Sequence, residues 1–129
     1  MREILFKAKR IDNCKWVEGY YQKRYDEMER ERHYIFWCKS NIVWEYAEID
    51  ENTICQFTGL LDKEGNKIWE NDIIEEVNMG FVGCVKFDLD AYKIRWNRES
   101  YIRQDLLFWI RDKEVEVIGN VFDNPLLLT

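Results

Sequence analysis

The sequence predicts a mainly β protein with little helix, and three observations carry that expectation. Apolar and polar side chains alternate through at least six short segments, as half-buried strands require. Gly, Asn and Asp punctuate those segments at short intervals, while Pro occurs once, at Pro125. Aromatic residues make up 16% of the chain, six Trp, seven Tyr and seven Phe, and 129 residues with 47% hydrophobic content are enough to bury a core of such rings. Disorder is not expected, on the same grounds.

In the first part, residues 4 to 8 alternate so that Ile4, Phe6 and Ala8 share one face, and the Asp12-Asn13 turn leads into a second strand over Trp16 to Tyr21. Gly19 marks an expected bulge. Lys23 to Arg32 is nearly all charged and reads either as a short exposed helix, with Asp26 and Arg30 at i,i+4 spacing, or as a long solvated hairpin tip. His33 to Cys38 and Ile42 to Ile49 follow as two apolar segments around a polar turn at Lys39-Ser40-Asn41.

From Thr53 the pattern is that of a small barrel. Leu61 to Ile68 places Gly65 in a tight turn, and Ile73 to Val77 enters a strand. Val82 to Asp88, with Val85 and Phe87 on one face, is the next strand, and Tyr92, Ile94 and Trp96 alternate with Lys93, Arg95 and Asn97. Leu106, Phe108 and Ile110 repeat the alternation, and Val115, Val117 and Val121 complete the set with Gly119 as a bulge. Closure removes unpaired edges, so an SH3-like barrel is expected over residues 53–129. Residues 1–52 form a strand and hairpin extension integrated with it in a single domain. Asn124-Pro125 reads as the cap and first position of a terminal helical turn carrying Leu126, Leu127 and Leu128.

Several stretches are similar to the signature of the YopX family, small proteins of bacteriophage and prophage genomes. They are Gln56-Phe57-Thr58-Gly59-Leu60-Leu61-Asp62-Lys63-Glu64-Gly65-Asn66-Lys67-Ile68-Trp69-Glu70-Asn71-Asp72-Ile73-Ile74 and Glu116-Val117-Ile118-Gly119-Asn120-Val121-Phe122-Asp123-Asn124-Pro125, supported by residues 1 to 8, 10 to 13 and 16 to 21. The resemblance covers most of the chain and implies an SH3-like domain that self-associates into a symmetric oligomer, with no assigned molecular activity. One departure stands out: Asn71 occupies a place where similar sequences usually have glycine, and Asn tolerates left-handed backbone. The motif residues also have folding reasons of their own, as turn formers, bulges and caps.

Catalytic chemistry finds little support. His33 is the only histidine and lies in a run of aromatic and aliphatic residues, which favours a half-buried strand position over a general base or metal ligand. Ser40 and Ser100 lack a nucleophile elbow, and there is no phosphate loop or dinucleotide fingerprint. Glu75 and Glu76 point to opposite faces of a strand; Asp88 and Asp90 are better explained by a turn at a strand end than by a metal. Cys55 has nothing nearby to lower its pKa. No catalytic residue, cofactor or metal is expected. Cys14, Cys38, Cys55 and Cys84 show no Cys-x-x-Cys spacing and are expected to be reduced and mostly buried. Without an apolar run of membrane length or a signal peptide, a soluble cytoplasmic protein of the bacterial host is expected.

A net charge of -6 works against wholesale nucleic-acid binding. Charge is nevertheless segregated: residues 50–90 hold ten carboxylates against three lysines, and residues 91–113 hold six basic against three acidic residues, giving −7 and +3. Within the basic stretch, Lys93, Arg95, Arg98, Tyr101 and Arg103 form a candidate nucleic-acid-binding strip, with Tyr92 and Trp96 assigned to the core. The favoured reading is a non-enzymatic accessory protein acting through self-assembly or an unknown protein partner. Tyr34, Phe36, Trp37, Trp44 and Tyr46 are its candidate contact residues, and a nucleic-acid-binding barrel is the alternative.

Overall fold

The computed structural model describes residues 4–97, 104–112 and 114–129. It is mainly β, with 58% strand and 11% helix in two antiparallel sheets. The chain divides into two compact units, Met1–Phe57 and Thr58–Thr129.

In the first unit, β1 (Phe6–Lys9) and β2 (Trp16–Tyr25) form the expected hairpin, with Phe6 opposite Gly19 and Lys9 opposite Trp16. β3 (Glu31–Ser40) and β4 (Val43–Glu48) follow, and the first residues of β5 (Cys55–Leu61) pair with β1, giving the order β4-β3-β2-β1-β5. The sheet curls until Arg10, just past β1, bridges Ile49, just past β4. Inside the curl lie Ala8, Ile35 and Ile49, all essentially inaccessible, with Phe6, Val17, Tyr21, Trp37 and Ile54 packed around them. Ile4, expected on the inner face, is exposed because β1 begins at Phe6.

The charged stretch over residues 23–32 is a hairpin tip and not a helix. β2 and β3 stay paired out to Tyr25 and Glu31, and the Asp26 carboxylate gathers the turn by accepting from the backbone N–H groups of Met28 and Arg30. Gly19 is not a bulge either: it is the last β1–β2 pair, opposite Phe6, and neither the β1–β2 register nor the β2–β3 register that starts at Tyr20 shifts. Its reason is space: a Cβ there would lie 2.1 Å from the backbone oxygen of Phe36, so only glycine lets β2 and β3 approach this closely.

The second unit contains β6 (Lys67–Trp69), neighbour of the later part of β5, and a four-stranded sheet of order β10-β7-β8-β9. Its strands are β7 (Asp72–Glu76), β8 (Phe81–Asp88), β9 (Ala91–Trp96) and β10 (Val115–Asn120). Three successive strands joined by hairpins, with a fourth returning beside the first, make a Greek-key order. The β10–β7 register shifts between Val117 and Gly119, where a bulge was expected.

Leu106, Phe108 and Ile110 do not form a strand. They belong to α1 (Leu106–Asp112), which starts where the Asp105 carboxylate accepts from the Leu107 N–H. Leu106 and Trp109 are its buried residues, three apart as a helix requires, and Trp109 meets Trp96 edge-on at 5.0 Å. Ile68, Ile74, Val85, Ile94 and Val115 complete that core. Phe87, on the same side of β8 as Val85, is exposed near the end of the strand. The chain closes in a 3-10 turn over Pro125–Leu128, with Pro125 at its start. The Asn124 side chain does not cap that turn; its Oδ1 accepts from the Asn120 N–H instead.

Candidate functional site

Strand parity sorts the first-half aromatics onto two faces. Tyr20, Phe36 and Tyr46 are cross-strand partners, so they project together, and Tyr34 and Trp44, each two residues away along a strand, join them. Trp37 lies on the opposite face against Ile35 and its neighbours, which removes it from the expected contact set. The five remaining rings form two touching groups on this face, Tyr20–Trp44 at 6.0 Å, and Tyr34–Tyr46 at 5.9 Å with Phe36–Tyr46 at 5.4 Å between centroids. The Arg24 guanidinium sits 5.2 Å over Phe36. Tyr20, Trp44 and Tyr46 are each more than half exposed, at 53%, 56% and 62%. Half of three such side chains is roughly 300 Å² of aromatic surface open to water, the scale at which a monomer's exposed patch is often functional.

On the inner side of the same sheet lies a polar cleft lined by Lys9, Arg10, Cys14, Arg32, His33 and Glu51, among others. The Tyr21 hydroxyl is 2.6 Å from His33 Nδ1, and the two rings stack. Burial, the largest effect, pushes the Tyr21 hydroxyl above its ordinary pKa. Arg10 is paired with Asp12, and Arg32 with Asp26 and Glu48, so the cleft's guanidinium groups already have carboxylate partners. Two of the groups around His33 lie far from it in sequence: Tyr21 comes from β2, and Glu51, 2.9 Å from His33 Nε2, from the 3-10 turn at Glu51–Thr53.

The basic-aromatic strip is only partly within view. Arg98, Tyr101 and Arg103 lie outside the described residues. Lys93 and Arg95 lie on β9 facing away from the core, while Ile94 and Trp96 are buried and Tyr92 packs against them, as expected of core positions. Lys93 Nζ is 4.0 Å from Asp88, which leaves Arg95 as the strip's exposed cation among the described residues.

Expected carboxylate geometry holds elsewhere. Glu76 is buried and accepts from the N–H groups of Asn78 and Met79, while Glu75 faces the other way. β8 ends at Asp88, and Asp90 sits in the turn beyond, with its N–H donating to the Asp88 carbonyl. All four cysteines are free thiols, but Cys14 and Cys38 are exposed, so only Cys55 and Cys84 fit the expectation of burial. Burial raises the pKa of Cys84, and it is unsuited to act as a nucleophile.

The motif residues of the second unit are spent on backbone. Thr58 Oγ1 donates to the Ile68 carbonyl, Asp72 accepts from the Trp69 N–H, and Asp62 accepts from the N–H groups of Glu64, Asn66 and Val117. Asn71 has a φ of 72°, the left-handed conformation for which glycine is the usual choice.

Against known proteins, the YopX protein family model matches residues 5–129. No curated protein matches the chain. Among solved structures it is similar to the crystal structure of protein EF1440 from Enterococcus faecalis, with 20% sequence identity, a TM-score of 0.61 and all of both chains covered. At that identity the likeness bears on the fold alone. With a family match running from the first described strand to the last residue, this chain belongs to the YopX protein family.

Proposed function

We propose that this chain is a non-enzymatic accessory protein of a phage or prophage, working in the host cytoplasm, and that it self-associates through the outer aromatic face of β2, β3 and β4. The observation that carries the reading is the contiguity of Tyr20, Tyr34, Phe36, Trp44 and Tyr46 on the face opposite the core. Two copies meeting through a two-fold axis would withdraw roughly 600 Å² of aromatic surface from water, enough for the centre of a standard interface of about 1,600 Å². Electrostatics supports a second copy as the occupant. Residues 1–57 hold ten Lys and Arg against eleven Asp and Glu, so like faces meet with little net repulsion even though the whole chain is acidic.

Light scattering over a range of concentrations tests this. The expected result is an oligomer that the double variant Trp44→Glu/Tyr46→Glu converts to monomer with its circular dichroism unchanged, because both side chains are mostly exposed. A wild-type monomer at every concentration would overturn the reading. Salt-sensitive binding of single-stranded oligonucleotides, lost in the same variant, would instead assign the rings to base stacking.

A further inference from the structure

The geometry points to a binding site for a first-row divalent metal ion formed by Glu31, His33 and Glu51, distinct from the aromatic face. Glu31 and His33 are two apart on β3 and therefore share its inner face. Glu51 comes from the 3-10 turn Glu51–Thr53, which is held firmly: Asp50 caps it through the Asn52 N–H, and Thr53 Oγ1 accepts from the Lys9 N–H. One ligand atom from each residue lies within 4.8 Å of the others.

The imidazole is the group that calls for an occupant. His33 is only 11% exposed, and its Nε2 is buried with no hydrogen-bond partner. Nε2 lies 2.9 Å from Glu51 Oε2 and 3.6 Å from Glu31 Oε2, yet neither oxygen stands where a hydrogen bond to the ring needs it. A buried nitrogen left in this way is costly. Ligands about 2.1 Å from a tetrahedral metal are separated by about 3.4 Å, so these two distances bracket the required spacing before any adjustment. Nδ1, on the far side of the ring, is 2.6 Å from the Tyr21 oxygen. With Nδ1–H donating to that oxygen, Nε2 is left as the unprotonated ligand, the arrangement metal-bound histidines commonly show. The other Glu31 oxygen is 3.6 Å from Lys23 Nζ, a half-exposed ion pair that leaves Oε2 unoccupied by the lysine.

One imidazole and two carboxylates form a mixed set that suits Zn2+, Co2+ or Mn2+ better than Mg2+, which prefers oxygen alone. Three protein ligands leave further coordination positions to water, and the bound ion would fasten the 3-10 turn to β3. The exposed thiols of Cys14 and Cys38 are competing ligands, so the test uses the full chain with both changed to Ser and with metal stripped by chelator. Titration with Co2+, followed by calorimetry and visible absorption, should show one equivalent bound and a rise in melting temperature. His33→Ala and Glu51→Gln should each weaken binding about a hundredfold or more, and Tyr21→Phe about tenfold, as loss of an outer-shell partner does. Glu51 is exposed, so its variant reports on binding without threatening the fold. No uptake of Co2+ or Zn2+ up to about 1 mM, or binding undiminished in Glu51→Gln and His33→Ala, would overturn the proposal.

Discussion

Replacing Asp62 by Ala should destabilise the second unit by roughly 3 kcal/mol. The side chain is 7% exposed and accepts four hydrogen bonds, from Glu64 N at 2.9 Å, Asn66 N at 2.8 Å, Asn66 Nδ2 at 3.4 Å and Val117 N at 3.0 Å. Glu64 and Asn66 are exposed, so water can replace much of what the turn loses. Val117 is half-buried, and its N–H would be left without a partner at about 1–3 kcal/mol. Adding about 1 kcal/mol for the weakened turn gives the total. Burial of Asp62, the largest single influence, acts to raise its pKa, but the donors from Val117, Asn66 and Glu64 outweigh it and the net shift is downward. A carboxylate with a depressed folded-state pKa contributes its stability above the ordinary carboxylate range. That contribution is lost as pH falls through the lower folded value. Urea unfolding followed by tryptophan fluorescence, repeated from neutral pH to below about pH 4, should show Asp62→Ala less stable at neutral pH and less sensitive to acid than wild type. Asp62→Asn keeps one acceptor and should lose about half as much. A neutral-pH difference below about 0.5 kcal/mol for Asp62→Ala would refute the argument, because Val117 would then be satisfied without the carboxylate.

Three other outcomes are expected. Gly19→Ala forces a Cβ to within 2.1 Å of a backbone oxygen in the neighbouring strand, so β2 and β3 must separate; a loss of about 3 kcal/mol or more is expected in thermal unfolding. Asn71→Gly keeps the backbone conformation but loses the hydrogen bond that Asn71 Oδ1 accepts from Lys86 Nζ, so it should cost about 1 kcal/mol, whereas Asn71→Val, β-branched at a φ of 72°, should cost about 2 kcal/mol or more by the same measurement. In the native chain, Cys14 and Cys38 should react quickly with a thiol reagent while Cys55 and Cys84 stay protected until denaturant is added, as mass spectrometry of the labelled protein would show.

Alternation made most strands readable, because a half-buried strand writes its two faces directly into the sequence. Tyr92, Ile94 and Trp96 against Lys93 and Arg95 is the clearest case, and the structure places them on opposite faces of β9. The same rule misleads over Leu106 to Ile110. A run of five residues that are all apolar carries no period, and Leu106 and Trp109 satisfy a helix as easily as Leu106, Phe108 and Ile110 satisfy a strand. Near Lys23 to Arg32, charges at i,i+4 spacing fit both readings, and the hairpin is decided by the β2–β3 pairing, a tertiary fact. The aromatic face was within reach of parity, since Tyr34 and Phe36 are an even step apart and each is an odd step from Trp37. Two of the three residues of the His33 cluster are adjacent in the sequence pattern, as Glu31-x-His33. Glu51 joins them only through a turn that returns the chain to β3 eighteen residues later.

The polar motif groups Thr58, Asp62, Asp72, Asn120 and Asn124 each hold a backbone amide or carbonyl, so those contacts are committed to folding. A side chain spent in this way is poorly placed to recognise a partner, since releasing it would break the turn that positions it. The YopX resemblance over these positions therefore accounts for a shared fold, and the surfaces that distinguish one binding role from another must be sought where side chains are exposed without a folding reason. Among the described residues, the contiguous set of this kind on one sheet face includes Tyr20, Trp44 and Tyr46, whose burial would stabilise a complex and whose exposure contributes little to the monomer. The two classes should separate in one experiment. Substitutions on the aromatic face should change association with little change in the unfolding midpoint, and substitutions in the motif should lower the midpoint first, with any loss of association following only from unfolding. Equal effects of both on the midpoint would mean that the rings are part of the monomer's own core.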